Sequence, residues 1–276
     1  MVAPRAQSWI KNGATWLIPA LVILASFLCP LSGHATLFDW DAAYGTWTAG
    51  APAVGATATQ AYDINGDGIN DVTISISNSA SNPTTGGNKF QWVGGYPTVD
   101  NTSLTGGLSP AQNALQLEVN QGNPNGVTVT ITFTTSVTNA SFTLFDIDKG
   151  AGTFIDEISN ITGLTSGSAV VAPISVTGSS ANLVTGSGTN FLITGTAANA
   201  STAGGGNATI TFGTTAVKSI SFTWKNTDAG LGSQFIALHD IGFTPLPEVG
   251  SSLAAIALCG GVAGFGFIQK RRRGKK

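Results

Sequence analysis

Cysteine, histidine and lysine are all scarce between residues 36 and 246, and each scarcity removes a class of function. The chain has two cysteines. Cys29 and Cys259 lie in apolar runs near the two ends, so the stretch between them has no disulfide, and its stability must come from a sizeable core or from bound metal. About 210 residues is ample for one core. Histidine is limited to His34 and His239. With no cysteine beside them, a His-rich or Cys/His zinc site is ruled out. Nucleophilic catalysis is poorly provided for, since no serine sits in a G-x-S-x-G elbow. Gly204-Gly-Gly206 lacks the Lys-Ser/Thr that completes a phosphate-cradling loop. Helical periodicity is nearly absent outside the ends.

Positive charge is missing from the interior for a different reason: it has been moved to the termini. Six of the twelve basic residues occupy the last seven positions, and Arg5 and Lys11 stand at the start. Residues 36–246 keep Lys89, Lys149, Lys218 and Lys225 against thirteen acids, a net charge of −9. A domain so acidic repels phosphate backbones, so no nucleic-acid partner is expected.

The ends read as addresses. Residues 1–35 are expected to be a signal peptide: a basic start, the apolar run TWLIPALVILASFLCPL over residues 15–31, then small residues at Gly33 and Ala35 before a cut after Ala35. Residues 246–276 carry Leu246-Pro-Glu-Val-Gly250, then an uncharged run over 251–268, then KRRRGKK. Eighteen residues at helical rise span about 27 Å, enough for a transmembrane helix. The basic stop of Lys270, Arg271, Arg272 and Arg273 stays on the cytoplasmic side and leaves the domain outside.

This tail resembles the PEP-CTERM sorting signal of Gram-negative envelope proteins. Pro247 and Glu248 match the first two motif positions, Val249 departs from the family's second proline, and the apolar run and arginines match the rest. The string LPEVG is also similar to the LPxTG signal of sortase substrates, with Val249 in place of threonine. The likeness covers about the last thirty residues. It implies export, capture by the membrane and processing by an exosortase-type enzyme. Proteins of this group often accompany exopolysaccharide production.

Residues 36–245 are expected to form one extracellular domain, all-β, an antiparallel β-sandwich of jelly-roll type. Strict alternation over residues 72–77 (VTISIS) and 127–133 (VTVTITF) marks half-buried strands. Strands are also expected over 140–147, 208–212, 219–224 and 235–243, and one helical turn over 110–117, capped by Ser109 with Pro110 at its first position. A split into two domains near 134–139 is the less favoured arrangement. The alternation Ile220, Phe222, Trp224 resembles the late strands of carbohydrate-binding-like jelly rolls.

The sharpest local motif is Asp63-Ile-Asn-Gly-Asp-Gly-Ile-Asn-Asp71. Oxygen ligands at Asp63, Asn65, Asp67 and Asp71, with the Ile69 carbonyl and a glycine at the turn, have the spacing by which hard oxygens wrap Ca²⁺. Position 12 is Ile74 and a strand follows at once, so a loop-type Ca²⁺ site is expected rather than an EF-hand. The same residues also favour a metal-free turn. A second acid group, Asp146, Asp148 and Asp156 with Glu157, lies in FDIDKGAGTFIDEI. Asp146 and Asp148 share a strand face, and Asp156 can return beside them across the Lys149–Gly152 turn. Three readings stand: a solvated edge, a second Ca²⁺ site, or a carboxylate pair for glycoside hydrolysis. Trp40, Trp47 and Trp92, with Tyr44 and Tyr96, are either a sugar-stacking platform or core.

Together these features favour an exported, membrane-anchored, non-catalytic surface or matrix protein, Ca²⁺-stabilised and polysaccharide-binding. The alternatives are a secreted glycoside hydrolase or lyase using Asp146, Asp148 or Glu157, and a structural adhesin or surface-layer subunit. Replacing Lys270, Arg271, Arg272, Arg273, Lys275 and Lys276 by neutral residues is expected to send the protein past the membrane or leave its tail unprocessed. Unchanged cell fractionation would contradict the sorting reading.

Overall fold

The computed structural model describes residues 34–78, 90–121, 126–228, 230 and 232–247. The proposed signal helix, the apolar run 251–268 and the basic stop lie outside these residues. Among the described residues no helix is long and apolar enough to cross a membrane.

The elements are strands, with two short 3-10 turns. In chain order they are β1 (Thr36–Phe38), β2 (Thr57–Tyr62), β3 (Val72–Asn78), β4 (Phe90–Trp92), β5 (Thr98–Asp100), β6 (Ala114–Gln121), β7 (Gly126–Phe145) and β8 (Lys149–Gly150). Then follow β9 (Phe154–Leu164), β10 (Val170–Val171), β11 (Ser175–Gly178), β12 (Asn182–Thr185), β13 (Leu192–Gly195), β14 (Ala208–Thr211), β15 (Val217–Asn226) and β16 (Gly232–Pro245). Every pairing is antiparallel.

β7 organises the whole. Its first half, Val127 to Phe133, lies between β3 and β15. Its second half, Val137 to Phe145, lies between β14 and β16. One set of strands therefore runs β2-β3-β7-β15-β9-β13-β12 and the other β11-β14-β7-β16-β6-β4. This all-β arrangement is consistent with a β-sandwich. The stretch 134–139, a conceivable domain boundary in the sequence, is where β7 passes from one set to the other, and residues His34–Leu246 form one unit.

A strand that serves both sets must keep its apolar side inward along its whole length. In β7 the buried residues are odd-numbered from Val127 to Val137 and even-numbered from Ala140 to Leu144. The switch falls at Asn139, whose φ of 54° is left-handed, and the register against β16 shifts beside it. An extra residue at a bulge moves every later side chain to the opposite parity, which restores the inward face after the turn. β9 does the same at Asn160 (φ 53°), where its register on β15 shifts and burial changes from Asp156 and Ile158 to Ile161 and Gly163. Asparagine tolerates this backbone region better than most residues. In β16 the register against β7 shifts twice, between Leu238 and Ile241 and between Gly242 and Thr244.

The core fills the space between the sets. Phe142 stacks on Phe222 with ring centroids 5.8 Å apart, and Phe133 meets Phe243 at 4.9 Å. Tyr62 packs edge-on against Phe38 and Trp40. A smaller cluster of Leu104, Ala114, Phe145 and Ala237 lies apart from it.

The helical turn expected over 110–117 is not formed. Residues 111–113 have no regular structure and β6 begins at Ala114. Leu115, Leu117 and Val119 alternate, and β6 has β16 on one side and β4 and β5 on the other, so ladder hydrogen bonds override a local Ser-Pro start signal.

Phe222→Ala removes a fully buried ring on which Phe142 rests. It is expected to cost about 3–5 kcal/mol in equilibrium denaturation. A loss below about 1 kcal/mol would mean that this contact does not hold the two halves together.

Candidate functional site

The nine residues 63–71 connect β2 to β3 and close on themselves. The Asp71 N–H donates to the Tyr62 carbonyl at 2.8 Å, and the Ile64 N–H donates to Asp71 Oδ2 at 2.9 Å. Asp63 is the hub: its carboxylate accepts the N–H groups of Gly66 (2.7 Å), Gly68 (2.7 Å) and Asp67 (3.2 Å). Asn65 Oδ1 accepts the Asp67 N–H and Asp67 Oδ1 accepts the Ile69 N–H. Gly66 and Gly68 have positive φ, 76° and 86°, which lets successive N–H groups turn inward. The Gly68 N–H above all, with those of Gly66 and Asp67, holds the Asp63 carboxyl below its ordinary pKa.

This is an Asx-turn network, and it satisfies the loop's carboxylates from within. An ionised carboxylate offers about four lone-pair sites, so the three N–H bonds at Asp63 and the single ones at Asp67 and Asp71 leave lone pairs able to meet a cation. A cleft of about 120 Å³ lies beside the loop, bordered by Asn65, Asp71 and Phe133. It is well below the roughly 300–1,000 Å³ of small-molecule pockets. Among the described residues no group of three or more Asp, Glu, His or Cys side chains is arranged to hold a metal ion.

The second acid group is not a solvated edge. Asp146, Asp148 and Asp156 are all buried, with 5%, 6% and 0% of their surface exposed. Asp146 follows the end of β7 with φ 64°. Asp156 does return beside Asp148 across the turn: its N–H donates to the Asp148 carbonyl at 3.0 Å, and its Oδ2 accepts the Asp148 N–H at 3.3 Å. Its Oδ1 accepts the Trp224 indole N–H at 2.8 Å. The cover is the segment after β13. The Asn199 N–H donates to Asp148 Oδ2 at 2.7 Å, and Asn199 Nδ2 donates to Asp146 Oδ1 at 3.3 Å. The gap is tight. A Cβ on Gly195 would lie 1.9 Å from the Asp148 carbonyl oxygen, and one on Gly206 would lie 2.9 Å from the Asp146 Cα.

Burial dominates the acidity of all three. It raises Asp146 to about 6, with the neighbouring Asp148 charge adding to the shift. It raises Asp148, against the Asn199 N–H that favours the ionised form. Asp156 is pushed well above the ordinary carboxylate range despite the Trp224 hydrogen bond. Glu157 does not join them. Its neighbour on the strand points inward while it faces the other side, 2.7 Å from Lys225.

The aromatic expectation is corrected for two residues. Trp40 and Trp47 are 1% and 9% exposed, so neither offers a face to a sugar ring. Phe38, Trp40 and Tyr62 pack mutually, and the Trp47 indole donates to the Gly50 carbonyl at 3.1 Å. Trp92 is half-buried, its indole bonded to the Pro52 carbonyl at 3.1 Å. His239 is taken up by Gln112, Nε2 to Oε1 at 2.9 Å, with its ring against Phe145. Burial lowers its pKa and favours the neutral ring. Sequence reasoning missed Asn199, whose role depends on a loop about fifty residues from the acids it caps. Pro247, where the proposed sorting motif begins, is exposed, while Glu248 and Val249 lie outside the described residues.

Comparison of the chain with protein-family models, with curated proteins and with solved structures finds no match.

The raised carboxylates set the sign of a pH effect. The folded state keeps protons that the unfolded chain, with Asp near 3.9, has released. The stabilising contribution of Asp146 is complete below about pH 4 and is lost as pH rises through about 6. In EDTA, Asp146→Asn is expected to raise Tm at pH 7.5 by a few degrees and to flatten the decline between pH 5 and pH 7.5, because asparagine suits the positive φ and carries no buried charge. A variant less stable than wild type at pH 7.5 would show that the Asp146 charge is compensated.

Proposed function

We propose that the chain is an exported, envelope-anchored and non-catalytic surface or matrix protein. In this reading its β-domain is a jelly-roll-type sandwich, stiffened by Ca²⁺ and engaging extracellular polysaccharide. The observation that carries it is the combination of an export-type start and a sorting-type tail around an acidic, cysteine-free interior. The tail would be processed by an exosortase-type enzyme acting at Pro247, Glu248 and Val249, and the apolar run would hold the chain in the membrane meanwhile.

The hydrolase reading is weakened by access. A general acid and its partner must reach a glycosidic oxygen. Asp146 and Asp148 lie under the Asn199 segment, and Glu157 is engaged by Lys225. A Ca²⁺ role rests on the loop 63–71. Asp63, Asn65, Asp67, Asp71 and the Ile69 carbonyl would supply hard oxygens, and the Asx-turn bonds already restrict the side chains that would bind. Asp146, Asp148 and Asp156 are a weaker second candidate, since their oxygens are spent on the Asn199, Trp224 and Asp148 donors.

Millimolar Ca²⁺ is expected to raise the Tm of residues 36–245 by a few degrees, with little effect from Mg²⁺ and none in Asp67→Ala. An equal response to both ions, or none, would sink the loop site. A polysaccharide panel run in Ca²⁺ and in EDTA tests the binding role: no retention in either buffer would favour a structural subunit.

A further inference from the structure

The outward side of β2, β3, β7, β15 and β9 is a field of hydroxyl groups in register. One row across the five strands reads Thr59, Ser75, Thr130, Ser221, Thr162. The next reads Thr57, Ser77, Thr128, Thr223, Ser159. A third keeps Thr73, Thr132 and Ser219 at its centre. These residues are exposed or half-buried, while the alternate residues of the same strands form the core. Hydroxyls meet across strands, Thr59 with Ser75 at 3.0 Å, Thr128 with Thr223 at 3.1 Å and Thr162 with Ser221 at 3.4 Å.

Three properties of this face select a ligand. It carries no charge within the rows. Of the nearby described lysines, Lys225 is paired with Glu157 and Lys218 donates to the Thr134 carbonyl. A domain of net charge −9 repels an acidic polymer. Second, each hydroxyl has one donor and two acceptor sites, so a hydroxyl pair still presents a free donor and several lone pairs. Sugar hydroxyls need both, and threonine methyls add contact for ring C–H groups. Third, the field is wide: four strand spacings of about 4.8 Å by two side-chain repeats of about 6.8 Å. Such a face grips an extended chain through many weak contacts rather than one sugar through a few strong ones.

We infer that this hydroxyl-paved face docks an uncharged, extended polysaccharide. The inference rests on the polysaccharide-binding reading above and moves the contact surface from the tryptophans to the serine and threonine rows.

The test is co-sedimentation of the full chain, in mild detergent, with microcrystalline cellulose as the neutral polymer and alginate gel as the acidic one. Wild type should sediment with cellulose and not with alginate. Ser75→Ala combined with Thr130→Val and Ser221→Ala should weaken this at least tenfold with Tm little changed. Thr143→Val with Thr209→Val, which removes a hydroxyl pair on the other set of strands, should bind as wild type does. If the triple variant destabilises the fold, Thr130→Val alone, with its smaller expected loss, replaces it. Undiminished cellulose binding by a folded variant would overturn the assignment of the face while leaving the polysaccharide reading intact. Binding to alginate alone would overturn the claim that the ligand is neutral. No binding of wild type to either polymer would overturn both the inference and the reading beneath it. Face-dependent inhibition of ice recrystallisation without polymer binding would reassign the hydroxyl lattice to ice.

Discussion

The structure depends on one strand satisfying two sets of neighbours. β7 needs a hydrogen-bonded partner on each side in both halves, and an apolar side that never leaves the core. A flat strand with uninterrupted alternation could serve one set. To serve both it must bend, and the bend must include a change of parity. Asn139 provides that change, and the shifts in β9 and β16 let the neighbouring strands follow. The placement of Phe142 against Phe222, and of Phe133 against Phe243, follows from it. So does the position of Asp146, which comes immediately after the last β7 residue.

Much of this was readable in the chain. VTVTITF and ASFTLF announce two alternating runs, and the distance between them gives the parity switch to anyone who counts. The β3, β14, β15 and β16 signals also correspond to strands within a few residues. For β6 the local signal Ser109-Pro110 points to a helical turn, whereas what fixes the strand is its pairing with β16, about 120 residues away. The loop 63–71 was legible as a turn rich in oxygen ligands. That its carboxylates first serve its own N–H groups follows from backbone dihedrals at Gly66 and Gly68, which composition alone does not specify.

Burial was the quantity hardest to read. The acids at 146, 148 and 156 have the spacing of a strand edge, and edges are normally wet. Here the Asn199 segment closes over them, so three carboxylates share an interior with Trp224 and no neighbouring cation among their hydrogen-bond partners. The tryptophans erred in the opposite direction: an aromatic suited to stacking on sugar is equally suited to a core, and Trp40 and Trp47 went inside. What the outer side retained is the polar half of the alternation, almost wholly threonine and serine. The hydroxyl rows are therefore the complement of the core pattern, set by the same period of two.

β16 has a mechanical consequence. It ends at Pro245, just before the segment proposed to tie the chain to the membrane, and it lies between β7 and β6 with β1 also alongside. A pull on Pro245 along the axis of β16 would load the hydrogen bonds to its neighbours together in shear rather than peel them one after another. A domain tethered through its last strand in this way would be held by the ladders that β16 forms with β7, β6 and β1.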